Sequence, residues 1–443
     1  MINKLVVLAL VMASFVSAQG QAGGSYSIKE ATEFAMSNTQ TLKNSHLEYE
    51  KSVMAIRETA ARGLPSISVG ADYTYNYQIA KQPVPADFFG GAPGDISYLE
   101  FGVDHSMVGT ANLNQLLFDA SYFVALRATK VVKEAATLTI EKTEIEIAAE
   151  VHKAYYQVLV ADETRSIHEE NLVSLQKSFM ETRELFKNGF VEEQEVEQLE
   201  LLVGQIQNKL NNSKRQVALA KMLLNFSMGL PVMGELNLTS TLAELINDGA
   251  VPVSTEFKVE EHVDFRSLDV AERGSELQLS NSRAAYYPKL NGFVRHQQSQ
   301  FQNEAADVFD FNQYWIPSTA IGVSLSWNLL EGFARTARVQ TAKLDLQKMQ
   351  MDKEMAENNL KMNYEKSSSD YLFSIDNYQT AKRNAELSKK IRNKTRVKYS
   401  EGISSSMELT QAETQYLENQ ERYIGALLAM LSAKEDLQKA IGK

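Results

Sequence analysis

Between Asp119 and Pro231 the apolar positions repeat with the period of a coiled coil. Leu199, Val203, Ile206, Leu210, Ser213, Val217, Ala220 and Leu224 alternate four and three residues apart. A heptad seam of this kind asks for a partner helix. The preceding stretch offers one: Ile145, Ala148, Val151, Tyr155 and Val158, then Leu172, Leu175, Phe179 and Phe186. No Pro or Gly interrupts Asp119–Lys187. At about 1.5 Å per residue that helix would be ~100 Å long. Ordinary globular helices stop at about 20 residues, so the pattern predicts a needle and not a domain core. Asn188-Gly189 marks a tight turn, and the seam on its far side is the returning arm.

The same pattern occurs twice. Gln115-Leu116-Leu117-Phe118-Asp119-Ala120 falls on Trp327-Asn328-Leu329-Leu330-Glu331-Gly332, and Phe186-Lys187-Asn188-Gly189-Phe190 falls on Tyr399-Ser400-Glu401-Gly402-Ile403. Glu195, Val196, Gln198 and Glu200 match Glu408, Leu409, Gln411 and Glu413. Leu210, Val217, Ala220 and Leu224 match Tyr423, Met430, Ala433 and Leu437, and Gly229 matches Gly442. Upstream, Leu64-Pro65 matches Tyr287-Pro288 at a longer offset. A period this long is not a solenoid of 20–50-residue units. It is a duplicated half: 19–231 as the first repeat, 232–260 between the repeats, and 261–443 as the second. The second needle is expected over Glu331–Lys398 and its return over Ser404–Ile441.

Ahead of each needle the period changes from helical to alternating. Ser27–Arg62 reads as one helix, with Ser27 and Glu30 as a capping box and Gly63-Leu64-Pro65 as its stop. Ser66–Gln78 then alternates strictly: Ile67, Val69, Ala71, Tyr73, Tyr75 and Tyr77 on one face, Ser66, Ser68, Gly70, Asp72, Thr74, Asn76 and Gln78 on the other. Soluble strands average about 5–6 residues, whereas a membrane strand needs about 9–11 and carries aromatic girdles. Tyr73, Tyr75 and Tyr77 fit such a girdle. Ile79–His105, rich in Pro and Gly, reads as a long loop, followed by a second strand at Met107–Leu117. The second half repeats the order. A helix over Glu261–Ala285 precedes a strand at Leu290–His296, a polar and aromatic loop over Gln297–Pro317, and a strand at Thr319–Trp327. That last strand turns Ile321, Val323, Leu325 and Trp327 to one side. Open strand edges are not tolerated in lipid, and the smallest barrels use about eight strands. Four strands per chain therefore require several chains in one barrel.

Composition narrows the function. The net charge is −11, which disfavours nucleic acid as a partner. There are no cysteines, which removes disulfides, thiol catalysis and Cys-type metal sites. After the N-terminus no apolar run reaches the roughly 18 residues of a spanning helix. The N-terminus itself, with Lys4, the apolar run Leu5–Val16 and then Val16-Ser17-Ala18, reads as a signal peptide over 1–18. The six histidines, His46, His105, His152, His168, His262 and His296, show no paired helical spacing. No HExxH, nucleotide-binding glycine motif or nucleophile elbow occurs. No catalytic, metal or cofactor site is therefore expected.

The ordered, twice-occurring motifs resemble the outer-membrane efflux proteins, the TolC-like channel-tunnels of Gram-negative bacteria. The carrying residues are Leu64-Pro65 and Tyr287-Pro288, the junctions Leu117-Phe118-Asp119-Ala120 and Leu329-Leu330-Glu331-Gly332, and the turns Asn188-Gly189-Phe190-Val191 and Glu401-Gly402-Ile403-Ser404. Glu408-Leu409-Thr410-Gln411-Ala412-Glu413 follows the second turn. The resemblance covers essentially the whole mature chain. It implies a mainly α fold with a membrane β-barrel: a homotrimer whose three sets of four strands close a 12-stranded outer-membrane barrel above a periplasmic tunnel of long helices. It also implies a periplasmic adaptor (a membrane fusion protein), an inner-membrane transporter that supplies the energy, and contact with outer-membrane lipid.

The same resemblance assigns sites. Asn188, Gly189, Phe190, Val191, Glu401, Gly402, Ile403 and Ser404 would be adaptor-docking tips. The bland reading of Gly189 and Gly402, left-handed helix caps, holds alongside it. Glu195, Glu408 and Gln411 would line the tunnel constriction. A family acid falls on Gln411, so the ring is less acidic here, and like-charge repulsion among the carboxylates of three chains would raise some of their pKa values. Glu192, Glu193 and Glu197 read more simply as a solvated acidic first turn. Tyr73, Tyr75, Tyr77 and Trp327 would be interfacial anchors. The function implied is a passive outer-membrane exit duct of a tripartite efflux or type I secretion system; the competing reading is a soluble periplasmic coiled-coil adaptor whose alternating segments form a β-domain, and two equivalent hairpins and few strands argue for the duct.

Overall fold

The computed structural model describes residues 24–247 and 257–442. The expected signal peptide, 1–18, lies outside them, as does part of the 232–260 segment. In chain order the elements are β1 (Ser25–Tyr26), α1 (Ile28–Asn38), α2 (Gln40–Ala61), β2 (Ser66–Tyr75), β3 (Lys81–Pro85), β4 (Ile96–Glu100), β5 (His105–Phe118), α3 (Ala120–Lys187), α4 (Glu193–Met228) and β6 (Asn237–Leu238). Then come α5 (Leu242–Asn247), α6 (Val263–Ala284), β7 (Lys289–Gln302), α7 (Ala305–Val308), β8 (Ile316–Ser326), α8 (Ala334–Ser400) and α9 (Ser406–Ile441). Two compact units emerge. One comprises the described parts of Met1–Tyr49, Ala135–Asp269 and Met351–Lys443; the other is Glu50–Glu134 with Val270–Gln350.

The first unit is helical, and its core is the heptad seam. Leu199, Ile206, Leu210 and Leu224 are buried, with Leu172 and Leu175 of α3 among the packed residues. Ser213, the polar position in the seam, has a partner: the buried His168 ring meets its hydroxyl at 2.7 Å through Nδ1. On α8 the buried residues Tyr364, Tyr371 and Tyr378 recur every seventh position. Tyr364 and Tyr371 pack with Leu437 of α9, and Tyr378 joins the larger core cluster; their long rings fill space that smaller residues would leave void.

The expected single helix Ser27–Arg62 is two helices. Thr39 leaves helical space (ψ 136) and its hydroxyl turns back to the Ala35 carbonyl at 2.8 Å. The capping box at the start is present, Glu30 bonding the Ser27 backbone and Ser27 bonding Glu30 N–H. The break faces Gly229, whose φ is +76 and where a Cβ would stand 2.9 Å from the Asn38 carbonyl oxygen. In the second half His262 (ψ 132) precedes α6, and Gly442 (φ +82) lies against its ring. Both halves thus bend beside a left-handed glycine that ends the returning helix.

The second unit carries one four-stranded antiparallel sheet in the order β2-β5-β7-β8. Its register sorts the side chains. Ile67 pairs with Leu113, Leu113 with Val294 and Val294 with Ile321; Leu290 pairs with Leu325. These share one face with Val69, Ala71 and Val323. The opposite face holds Ser68, Asp72, Asn112, Asn114, Asn291, Arg295 and Ser324, with Arg295 Nε donating to Asn112 Oδ1 at 3.1 Å. Strands β2 and β8 are the edges.

The strands depart from expectation at their ends. β7 runs on through Gln302, where the polar run Gln297–Gln302 predicts loop; hydrogen bonding to β5 on one side and β8 on the other overrides the missing alternation. The expected loop 79–105 contains the hairpin β3–β4, whose intervening turn uses Gly90 (φ +80) and Gly94 (φ +97). Tyr77 is not on β2, which ends at Tyr75; Asn76 still donates to Asp104 O and Val103 O, and the chain then departs.

Candidate functional site

Two hairpin turns share the same capping bonds. Gly189 (φ +76) donates to Phe186 O and Phe190 to Leu185 O; Gly402 (φ +72) donates to Tyr399 O and Ile403 to Lys398 O. These are left-handed caps of the Schellman type, a conformation that glycine adopts without steric cost. Asn188 adds a side-chain bond to Glu184 O at 2.7 Å. Each turn exposes one large apolar residue at the matching position, Phe190 at 76% and Ile403 at 75%. Glu401 is exposed; Val191 and Ser404 are half-buried.

The two tips are joined. The Tyr399 hydroxyl from α8 lies 3.0 Å from buried Thr182 of α3 and donates to Glu195 Oε2 of α4 at 3.4 Å. Burial pushes the Tyr399 phenol above its ordinary pKa, so it stays a neutral donor. Beside it Arg396 donates to Ser174 at 2.8 Å. A cavity of about 540 Å³ opens between the two outgoing helices, lined by Met180, Leu185, Phe190, Arg396, Tyr399 and Ser400.

The three expected constriction residues take different settings. Glu195 is half-buried against Tyr399. Glu408 is exposed, and the Ser404 hydroxyl and a backbone bond from Ser405 hold its carboxyl below the ordinary value. Gln411 is exposed one turn further on. The adjacent Glu413, by contrast, is buried; burial raises its pKa against the opposing charges of Arg392 and Arg396. Arg392 Nη1 stands 3.8 Å from Glu413 and its guanidinium lies 4.1 Å over the Tyr416 ring. The Tyr399 and Arg392–Glu413 pairings are absent from the sequence reading. A signal existed: Arg392 and Tyr399 continue the sevenfold register of Tyr364, Tyr371 and Tyr378.

Of the expected membrane-interface aromatics, Tyr73 and Tyr75 gather with His105 at one end of the sheet. Tyr73 bonds His105 Nδ1 at 2.8 Å and packs on Phe309, and Tyr75 stacks on His105 at 4.8 Å. Trp327 stands at the opposite end, donating to Tyr286 O at 3.1 Å. No cluster of three or more His, Cys, Asp or Glu side chains able to hold a metal occurs among the described residues, and no described helix is long and apolar enough to cross a membrane.

The sequence profile of the family described as "Outer membrane efflux protein" matches residues 33–230 and 260–443. The chain belongs to the outer membrane efflux protein family. Membership makes it an efflux transport protein of the outer membrane, in a family of channels and not of enzymes. No curated protein matches by sequence. Among solved structures, the chain superposes on CusC with a TM-score of 0.77 at 15% identity, covering 96% of this chain and 95% of that one. The VceC outer membrane protein of Vibrio cholerae gives 0.70 at 14%, covering 94% and 96%. The CmeC outer membrane channel of Campylobacter jejuni gives 0.73 at 15%, covering 96% and 90%. At such identities the likeness is one of fold. It extends over both halves of this efflux protein, from the strands to the tips.

Proposed function

We propose that this efflux protein is a passive exit duct, working as a homotrimer with a periplasmic adaptor and an energised inner-membrane transporter. The observation that carries the reading is the sheet with two unpaired edges, one apolar face and one polar face. Such a sheet is unstable in lipid until further copies pair with β2 and β8. Three copies give a 12-stranded barrel with Arg295, Asp72 and Asn112 on the water-filled side. The chain has no nucleotide-binding motif, so energy enters from a partner.

In this reading the hairpin tips are the regulated end. Residues 188–191 and 401–404 receive the adaptor, with exposed Phe190 and Ile403 as anchors and the neighbouring cavity taking an apolar side chain. Glu408 and Gln411 project into the constriction, and the Tyr399–Thr182–Glu195 tie holds the two hairpins together at rest. Detergent extraction followed by light scattering tests the assembly. A protein mass of three chains is expected; a monomer soluble without detergent overturns the duct. In planar bilayers, Glu408→Ala should lower cation over anion permeability by several-fold, since one fixed charge per chain is removed from a narrow pore.

A further inference from the structure

The two halves differ at one junction between strand and needle. In the first, Phe118 ends β5 and Ala120 already begins α3, with Asp119 between them accepting the Ser121 N–H on its carboxylate oxygen at 2.8 Å. In the second, β8 ends at Ser326 and α8 starts only at Ala334. The intervening strap, Trp327-Asn328-Leu329-Leu330-Glu331-Gly332-Phe333, is strongly apolar and exposed: Trp327 53%, Leu329 72%, Leu330 85%, Phe333 81%.

The strap is held in place. Trp327 Nε1 donates to Tyr286 O, and Arg335 stacks on the Tyr286 ring at 4.9 Å. Glu331 accepts from Asn328 at 3.0 Å, from Arg335 at 3.3 Å and from Arg338. Gly332 (φ +55) and Phe333 (φ +66) are both left-handed, and Phe333 is the sole described non-glycine residue with positive φ. A bulky residue in that region is strained. The strain has the effect of turning a large ring outward, where it meets no packing within the unit.

We infer that residues 327–333 form a membrane-seated strap, inserting Leu329, Leu330 and Phe333 into the inner leaflet of the outer membrane at the helix end of the barrel. The inference rests on the lipid-facing reading of the sheet. Two observations select lipid as the occupant. Trp327 continues the alternating apolar row Ile321, Val323 and Leu325 of β8, and beyond Asn328 the exposed Leu329 and Leu330 extend the apolar surface. At its helical end, buried Arg335 and Arg338, whose side chain is 60% exposed, both pair with Glu331, which leaves one net positive charge at the surface, suited to a lipid phosphate. Aromatic and basic residues together are the composition of a membrane interface. Tyr287, 61% exposed on the neighbouring turn, extends the same belt. The strap would fix how deep the barrel sits.

The chain has two tryptophans, Trp315 and Trp327, so single reporters are easily made. W315F/W327F is combined separately with F333W, L330W or V323W. Each protein, verified as an intact oligomer, is reconstituted into phosphatidylcholine vesicles brominated either high or low in the acyl chains. The expected result is that F333W and L330W fluorescence falls about twofold with bromine near the glycerol and less with bromine deep in the chain, as for an interfacial ring. V323W should be quenched by deep bromine. Quenching of F333W and L330W by aqueous acrylamide alone overturns the inference in favour of water. Shielding from both quenchers overturns it in favour of burial against a second copy. If V323W also escapes bromine, the lipid-facing reading of the sheet falls and the strap with it. If V323W is quenched and the strap probes are not, the strap alone falls.

Discussion

At the tip, one phenol spans three helices. Tyr399 reaches Thr182 and Glu195 with a single hydroxyl, so Tyr399→Phe removes both bonds while keeping the ring's packing. Each bond contributes about 1 kcal/mol, enough to shift a marginal closed state several-fold toward opening. Single-channel recording of Y399F should show raised conductance or open time while the oligomer stays intact in detergent; unchanged conductance would leave the tie without a gating role. His168 makes a different prediction. Burial depresses its pKa below the ordinary 6.5, so the fold favours the neutral ring. Its contribution to stability is whole above pH 6.5 and is lost as the pH falls through the depressed folded value, because the unfolded chain takes up the proton first. His168→Gln should flatten the fall in urea stability below pH 6.5; an equally steep fall would assign the acid sensitivity elsewhere.

Among the elements, the two bends carry unequal demands. A Cβ on Gly229 would press on the Asn38 carbonyl oxygen, a backbone atom, at 2.9 Å, whereas on Gly442 it would meet the His262 ring at 3.2 Å. Both sites also require left-handed φ. Gly229→Ala should therefore lose more stability than Gly442→Ala, by roughly 1 kcal/mol beyond the shared αL cost of ~1 kcal/mol. Comparing urea midpoints at equal slope tests this, and equal losses would show that the α1–α2 corner yields. The same bends mark what the sequence could and could not reveal. The needles were legible because a seven-residue apolar period over such length has one structural solution. The strands β2 and β8 were legible from alternation. The break at Thr39 was not, because Ser27–Arg62 contains no Gly or Pro and the bend is imposed by Gly229, far away in sequence. The extension of β7 through Gln297–Gln302 and the β3–β4 hairpin were hidden for a related reason: pairing with neighbours decides them, and polar runs carry no period. The sevenfold register of α8 marks Tyr399 as an inward position, but its meeting with Thr182 and Glu195 joins three elements, and the register does not name those partners.

For the whole molecule, the proposed assembly turns on the unpaired edges of the sheet. β2 exposes every residue along its length in one chain, and β8 is exposed throughout apart from its centre. Ten residues of β2 with a free ladder of N–H and C=O groups would cost several kcal/mol per unsatisfied group in hydrocarbon. On the proposed duct reading the partner is another strand, and β8 of a second copy has a matching length and the same sorting of apolar and polar faces. Because the chain lacks cysteine, the pairing can be read covalently. One cysteine is placed at Ser66 or Ser68 on the polar side of β2 and another at Ser318, Ser324 or Ser326 on the polar side of β8. A ladder register that closes the barrel brings one such combination within disulfide reach, a Cβ separation of about 4 Å. Oxidation in outer-membrane fractions should then give covalent species of two and three chains and none larger, while each single-cysteine protein stays uncrosslinked. A ladder running past three chains would assign a wider barrel. Monomers from every combination would mean that β2 and β8 are satisfied by something other than a second copy, and the trimeric duct would have to be abandoned.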